Sequence, residues 1–198
     1  MTALRILLLN GSPNPAGHSM RLARAMLDVF AAVGAKTVVA HLYDLALSPC
    51  RGCGHCRKAE SGGACPLADA APGLIRSVAT ANFVLVASPV HFTSLTAPVV
   101  AFFSRLQPFW QAKRRGVRLL PELTRSSALI LTAGSERPDI FRAARSAAAA
   151  AFNTLAIPFA GMAAAAGTDR TAAADNREAL AAAAELAQNM VRTTGKFA

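Results

Sequence analysis

The four cysteines of this chain have a spacing that suits ligands of an inorganic centre. Cys50, Cys53, Cys56 and Cys65 form the pattern C-x2-C-x2-C-x8-C. Thiolates at this spacing can hold a [4Fe–4S] cluster, and the first three lie as close together as in bacterial ferredoxins. A second interpretation is a zinc ion bound by four thiolates, and a third is reduced thiols or a disulfide without metal. His55 lies in the same segment as a possible further ligand, with plain solvent exposure as the alternative.

A second stretch, residues 4–19, has the composition of an anion-binding turn. Its apolar start is typical of a strand buried on both faces, and two glycines and two prolines then break regular structure. Ser19 stands where an N-cap would, before the periodic apolar residues of a helix. Such a strand, turn and helix direct backbone N–H groups and the positive helix end at one place, which suits a phosphate. An ordinary turn is the alternative, and the pattern is neither G-x-G-x-x-G nor a Walker loop.

A third segment, Ser88 to Thr96, could frame a flat ring. A buried strand emerges here into a Ser-Pro pair, and an aromatic residue and small hydroxyl residues follow. Backbone groups and apolar side chains of this kind line ligand pockets. His91 could donate to a carbonyl or titrate near neutral pH, and a loop histidine without a role is the alternative.

Length and composition predict a single domain, residues 1–198, with a cysteine-bearing loop at about 48–68. Hydrophobic residues make up 53% of the chain, but no apolar run reaches the roughly 20 residues of a membrane span. The N-terminus also lacks the pattern of a cleavable signal segment. We therefore expect a cytoplasmic protein that does not bind a membrane.

The formal net charge is +10, and its clearest cluster lies between residues 105 and 125. A solvated connecting loop is one explanation of this cluster, and a rim that attracts an anionic ligand such as a nicotinamide nucleotide is another. Because no nucleic-acid-binding motif accompanies the charge, we expect no nucleic acid partner. The cluster consists of Lys113, Arg114, Arg115 and Arg118.

Strands and helices alternate five times, which predicts an α/β three-layer sandwich with a five-stranded parallel sheet. The predicted strands begin near residue 4 and then lie at 36–42, 82–87, 127–132 and within 157–165. The predicted helices cover about 20–30, 72–80, 95–107, 139–155 and 172–193. In such sheets ligands bind beyond the carboxyl ends of the strands. The loops after the first, third and fourth strands would therefore converge on one crevice.

Taken in order, these motifs resemble the flavodoxin-like NADPH-dependent FMN reductases. The resemblance is carried by residues 10–13 with 17–19 and by residues 88–97. The cysteine segment is similar to that of the iron–sulfur flavoprotein branch of the family. The resemblance spans nearly the whole chain and implies the strand order 2-1-3-4-5, FMN as prosthetic group and NAD(P)H as co-substrate.

The resemblance also implies which residues bind the cofactor. Those that would cradle the FMN phosphate are Ser12, Asn14, Gly17, His18 and Ser19. Those that would frame the isoalloxazine ring are Pro89, Val90, His91, Phe92 and Ser94. Those that would close the other side of the pocket are Thr132, Ala133 and Gly134. The family usually has Tyr in place of His91, a pair such as Asn-Thr in place of His18-Ser19, and commonly a basic residue in place of Asn14.

The expected function is that of an FMN-dependent oxidoreductase using NAD(P)H. Electrons would pass to flavin, a quinone-like compound or another small-molecule or protein acceptor, directly or through a [4Fe–4S] cluster. Because the chemistry is centred on the flavin, His91 is the one candidate for a catalytic side chain. The alternatives are a non-enzymatic electron carrier and a redox-sensing binding protein. Apolar Leu106, Phe109 and Trp110 beside the basic loop lead us to expect a homodimer or homotetramer.

Overall fold

A parallel five-stranded sheet with helices on both faces forms the described part of the chain, residues 3–58 and 64–195 of a computed structural model. The strands are β1 (Arg5–Asn10), β2 (Lys36–His41), β3 (Phe83–Pro89), β4 (Ser126–Thr132) and β5 (Phe159–Ala165). The helices are α1 (His18–Ala32), α2 (Ala71–Thr80), α3 (Ala97–Ser104), α4 (Gln107–Arg114), α5 (Arg142–Thr154) and α6 (Arg177–Gly195). Within these residues, no helix is both long enough and apolar enough to span a membrane.

The strand order is β2-β1-β3-β4-β5, and every pairing in the sheet is parallel. The predicted fold class and strand order are therefore confirmed. The order reverses between β1 and β3, so the turns after these two strands lie side by side. Residues 59–63 of the predicted cysteine loop lie outside the described residues.

Alternating side chains of the central strands build one core on each face of the sheet. Leu7, Val84 and Leu129 face the layer of α2, α3, α4 and α5. Ile6, Leu8 and their neighbours face α1 and α6. Because β1, β3 and β4 are covered on both sides, they read in the sequence as nearly continuous apolar runs. Their carboxyl ends are consequently held in fixed positions relative to one another.

The predicted helix 95–107 and basic loop need correction. The structure has two helices here, α3 and α4, and the chain turns between them at Arg105–Leu106. Pro108 occupies the first turn of α4, where its missing N–H costs nothing. Lys113 and Arg114 form the last turn of α4. The helix dipole favours basic side chains at the C-terminal end of a helix. The predicted basic loop is therefore partly helical, because two of its four clustered basic residues belong to α4.

Two of the apolar residues that suggested an oligomer are core residues. Leu106 and Phe109 are 2% and 8% exposed and pack under the sheet. Only Trp110 of the three remains exposed. The amphipathic character of α4 explains the difference, because its buried side faces the core and its other side faces solvent.

The predicted starts of α1, α5 and α6 differ from those observed. α1 begins at His18 with Gly17 as its N-cap, so Ser19 lies inside the helix and is not its cap. α5 begins at Arg142, three residues beyond the expected start. α6 begins at Arg177 because the Asn176 side chain accepts a hydrogen bond from Ala179 N at 3.0 Å, as an N-cap does.

Arg125 is expected to contribute strongly to stability. Its buried guanidinium donates to the carbonyl oxygens of Val78, Ala79 and Ala81 at 2.6, 2.6 and 2.8 Å, which closes the C-terminal end of α2. Arg125→Met keeps the volume but leaves these buried acceptors without donors. We expect a loss of about 2–4 kcal/mol in the free energy of unfolding, measured by urea denaturation. The exposed Arg118→Met should change it by less than about 0.5 kcal/mol, and equal effects in both variants would contradict this role.

Candidate functional site

The turn after β1 is held rigid by hydrogen bonds of its own residues. Asn10 is fully buried, and its Oδ1 accepts from Ser12 N at 3.0 Å while its Nδ2 lies 2.9 Å from His41 Nδ1. Ser12 Oγ donates to Asn14 O at 2.9 Å and accepts from Asn14 N at 3.2 Å. Asn14 Oδ1 in turn accepts from Ala16 N at 2.9 Å. The turn is therefore ordered by its own residues.

The first turn of α1 offers donors for an anion. No side chain caps this helix end, although a helix leaves its first N–H groups without intrahelical acceptors. A Cβ added at Gly17 would lie 3.3 Å from Ser12 Oγ and 3.1 Å from Asn14 O. Gly17 thus keeps open the space between the turn and the helix. Open space, free N–H groups and a positive helix end together fit a phosphate.

His18 and Ser19 are tied to elements on either side. His18 Nδ1 accepts from Ala173 N at 3.2 Å, which attaches α1 to the segment before α6. Ser19 Oγ lies 2.8 Å from Thr132 Oγ1, at the end of β4. Ser19 therefore bonds to the end of β4 and does not cap α1 as predicted.

Three turns that are distant in the sequence meet at the carboxyl edge of the sheet. Thr96 Oγ1 donates to Gly11 O at 2.6 Å and so joins the segment after β3 to the turn after β1. Val90 N donates to Thr132 O at 2.8 Å and joins it to the end of β4. Gly11 must be a glycine, because a Cβ there would lie 2.2 Å from Val99 Cγ2. The turns after β1, β3 and β4, which the sequence predicts to converge on one crevice, therefore meet in the structure.

The segment after β3 carries an exposed aromatic residue in a strained turn. His91 and Ser94 form an isolated antiparallel bridge, with backbone hydrogen bonds of 3.0 and 2.9 Å in the two directions. Phe92 and Thr93 between them have φ of 50° and 64°. Such values are unusual for an aromatic and a β-branched residue. The Phe92 side chain is fully exposed, so packing of this ring within the chain does not offset the backbone strain.

The remaining predicted residues line the same edge. Ser88 Oγ accepts from Thr96 N at 3.2 Å and fixes the start of the segment that contains Pro89. Ala133 O accepts from Thr168 N at 3.0 Å. A Cβ at Gly134 would lie 2.3 Å from the Asp169 carboxylate, so a loop after β5 closes against this position.

A separate cavity of about 280 Å³ is lined by all four cysteines. None of the four is in a disulfide, and Cys50 and Cys53 are exposed while the other two are half-buried. The pKa of Cys56 lies above its ordinary value. Burial is the main cause and the three other thiols add to it, while a hydrogen bond from the backbone of Cys56 lowers the pKa by less. The four cysteines therefore border one space, and His55 is not among the residues that line it.

Four thiols around one cavity are the type of donor set that an iron–sulfur cluster requires. Within residues 3–58 and 64–195, no group of three or more His, Cys, Asp or Glu side chains is placed to hold a single metal ion.

The cysteine segment is closed at its neck by an ion pair. Ala70 N donates to Ala46 O at 3.0 Å, and Ser48 N donates to Asp69 Oδ2 at 3.0 Å. Arg105 at the end of α3 forms a salt bridge with Asp69, and the two side chains are 1% and 10% exposed. Arg105 also donates to Ser48 O at 3.0 Å and to Leu67 O at 3.3 Å. One guanidinium thus holds both ends of the segment.

Asn10, Thr96 and Arg105 are the residues that the sequence reasoning missed. Asn10 and Thr96 lie inside the segments that were singled out, but their role is to join turns. A signal existed for Asn10, a polar residue closing an apolar strand. Arg105 lies in the predicted helix 95–107, and its position between Phe102, Phe103 and Leu106 is unusual for a solvated arginine.

Parallel strands in the order 2-1-3-4-5, with polar turns at the carboxyl edge, define a flavodoxin-like protein. The sequence matches the family of NADPH-dependent FMN reductases over residues 4–168. The chain therefore belongs to this family. The resemblance drawn from the motifs is confirmed.

Among curated relatives, the chain is 30% identical to an iron-sulfur flavoprotein of Methanocaldococcus jannaschii over 105 residues, 53% of each protein. The chain spans about half the length of the curated relatives it matches. An azoreductase from Bacillus anthracis has a TM-score of 0.70 and 17% identity, with 96% of this chain and 99% of that one covered. The NAD(P)H:quinone oxidoreductase from Methanothermobacter marburgensis has a TM-score of 0.68 and 15% identity, with 96% of each covered. At these identities the structural likeness concerns the fold.

Proposed function

We propose that this chain is an FMN-dependent oxidoreductase that uses NAD(P)H to reduce flavin, a quinone-like compound or another acceptor. The observation that carries the proposal is the meeting of three turns beside the uncapped first turn of α1. Family membership supports the same chemistry. Bound FMN would supply the hydride chemistry, and the protein would supply binding, orientation and electrostatics.

The residues of the site divide this work between phosphate and ring. The α1 N–H groups would bind the phosphate, with Ser12 and Asn14 shaping the turn that cradles it and Gly17 leaving room. Residues 89–94 would line one side of the ring, and the rigid bridge between His91 and Ser94 would fix their backbone. Thr132, Ala133 and Gly134 would line the other side. The exposed Phe92 ring stands free to cover a flat ligand and to exclude water from it.

We further propose that Cys50, Cys53, Cys56 and Cys65 hold a [4Fe–4S] cluster. The cavity that the four thiols share supports this assignment. The names of the two curated relatives, both iron-sulfur flavoproteins, point the same way. A cluster of this type supplies single-electron chemistry, which suits a small-molecule or protein acceptor outside the flavin site.

Purified protein provides the direct test. After anaerobic purification we expect the absorbance bands of oxidised flavin, stoichiometric FMN and a broad iron–sulfide band that dithionite bleaches. Oxidation of NADH or NADPH should then be observed with added FMN or menadione as acceptor. Protein that takes up no added FMN would contradict the proposal. Protein that binds FMN but oxidises neither nucleotide would be an electron carrier, the alternative function.

We also propose a homodimer or homotetramer. Of the three apolar residues that led to this prediction, Trp110 is the one that remains exposed. Trp110 and Val100 are each 45% exposed on neighbouring helices of one layer. Exposed apolar side chains of this size favour contact with another copy. Light scattering after size exclusion should give two or four times the 20.5 kDa chain mass. A monomer at micromolar concentration would contradict it.

A further inference from the structure

The cysteine cavity is lined by positive and neutral groups. Arg51, Arg57 and Arg105 contribute to the lining, and no Asp or Glu does so within the described residues. Gln107 and Pro108 also line it, so the N-terminal end of α4 faces the same space. That end of a helix carries a partial positive charge. The cavity is therefore suited to a group with net negative charge.

Arg105 differs from the other two arginines because it is buried and already anchored. Its guanidinium is held by Asp69, Ser48 O and Leu67 O, which uses three of the five N–H groups that arginine carries. Its Nε is buried without an acceptor among the described residues. A buried donor without a partner is costly, and it indicates that a further acceptor belongs nearby.

Cys65 is the thiol that interacts with Arg105, and it lines the cavity beside it. Burial lowers the pKa of Arg105, but hydrogen bonds to Asp69 and to Cys65, together with the charges of both, raise it above its ordinary value. Both residues line the same cavity. The guanidinium thus lies between the neck of the segment and the last of the four thiols.

A cluster bound by four thiolates brings net negative charge into this partly enclosed space. Buried charge is costly unless it is paired and hydrogen-bonded. Hydrogen bonds to the sulfurs and nearby charge also set the reduction potential of such a cluster. Arg105 can supply both, because a guanidinium carries a permanent charge and several donors in a fixed geometry.

We propose that Arg105 is a positioning residue for the metal centre: it donates to Cys65 Sγ, offsets the charge of the thiolates, and holds the neck of the segment through Asp69. This inference rests on the proposed cluster and goes beyond it, because it assigns a role to a residue outside the cysteine motif. The neighbouring Ser104 supports the same function of the α3 end. Its Oγ accepts from Cys50 N at 2.8 Å, so the last residue of α3 contacts the first cysteine of the motif.

The test compares Arg105→Met, Arg105→Lys and wild type after anaerobic reconstitution with iron and sulfide. We expect Arg105→Met to retain the cluster about 10- to 100-fold less well against a chelator, a range typical of residues that support metal ligands. The clusters that remain should have a lower midpoint potential, measured by redox titration with EPR detection. Arg105→Lys keeps the charge without the fork of donors, so its potential should lie between the two.

Arg125→Met is the matched control, because it also removes a buried guanidinium with an unpartnered Nε but contacts no cysteine. It should be destabilised and yet keep the wild-type iron content and potential. Wild-type potential in both Arg105 variants, or the same loss of iron in Arg125→Met, would overturn the inference while the cluster and the flavin assignments stand. A wild-type protein that takes up no cluster would overturn the cluster proposal and this inference together, with FMN content reporting separately on the flavin site.

Discussion

Ser12→Asp is expected to weaken FMN binding strongly. The Asp carboxylate would lie in the turn that the phosphate is proposed to occupy, beside the open space at Gly17. Two unit charges about 4 Å apart repel by roughly 4 kcal/mol at an effective dielectric constant of 20. Allowing for solvent, a cost of about 2–4 kcal/mol raises the Kd for FMN by about 30-fold or more. Fluorescence quenching of FMN titrated with the apoprotein measures this directly.

Two controls separate charge from loss of the hydroxyl. Ser12→Ala removes one hydrogen-bonding group, and we expect it to weaken FMN binding by about 10-fold or less. Ser146→Asp adds the same charge on the exposed face of α5 and should leave the Kd unchanged. An aspartate at position 12 can still accept from Asn14 N, so the turn itself should survive. Wild-type flavin content in Ser12→Asp would refute the assignment of this turn.

The sheet could be predicted because its central strands are encoded locally. β1, β3 and β4 are buried on both faces, which produces apolar runs that glycine, proline or serine end. Alternation with helices then restricts the sheet to a few parallel arrangements. The α3–α4 region was misjudged for the same local reason. Leu106 and Phe109, beside the predicted basic loop, look like exposed apolar residues until the core that buries them is known.

The turns of the site were identifiable, but the bonds between them were not. Gly11, Gly17 and the Ser-Pro pair at 88–89 mark the turns through their own chemistry. The bonds from Thr96 to Gly11 and from Ser19 to Thr132 join residues 85 and 113 positions apart. No local pattern encodes a contact of that kind. The same holds for Arg105, whose ion pair with Asp69 spans 36 positions.

Both candidate sites are held in position by bonds within the chain. The turn after β1 is ordered by Asn10 and Ser12, and the neck of the cysteine segment is ordered by Asp69 and Arg105. Groups that are fixed before a ligand arrives lose less conformational entropy when it binds. The cysteine cavity and the proposed flavin site also share α3 as a support, since Thr96 precedes this helix and Arg105 follows it.

Asp69→Ala is expected to destabilise the protein by about 3–5 kcal/mol, because it leaves Arg105 as an unpaired buried charge. The substitution also removes the acceptors of Ser48 N and Ala71 N, which hold the neck and the start of α2. Urea denaturation at pH 7 measures the effect. Asp139→Ala breaks exposed ion pairs only and should cost less than about 1 kcal/mol. A change within 1 kcal/mol for Asp69→Ala would show that the ion pair does not hold the neck.

The same carboxylate predicts how stability depends on pH. Burial raises the pKa of Asp69, but hydrogen bonds from Ser48 N, the Arg105 guanidinium and Ala71 N lower it further than burial raises it. Since the folded pKa lies below the unfolded value of about 4, the contribution is complete above pH 4 and is lost as the pH falls through the folded pKa. Asp69→Asn cannot titrate, so its free energy of unfolding should fall less than that of wild type between pH 5 and strongly acidic pH. Parallel acid profiles for the two proteins would mean that other carboxylates govern the acid transition.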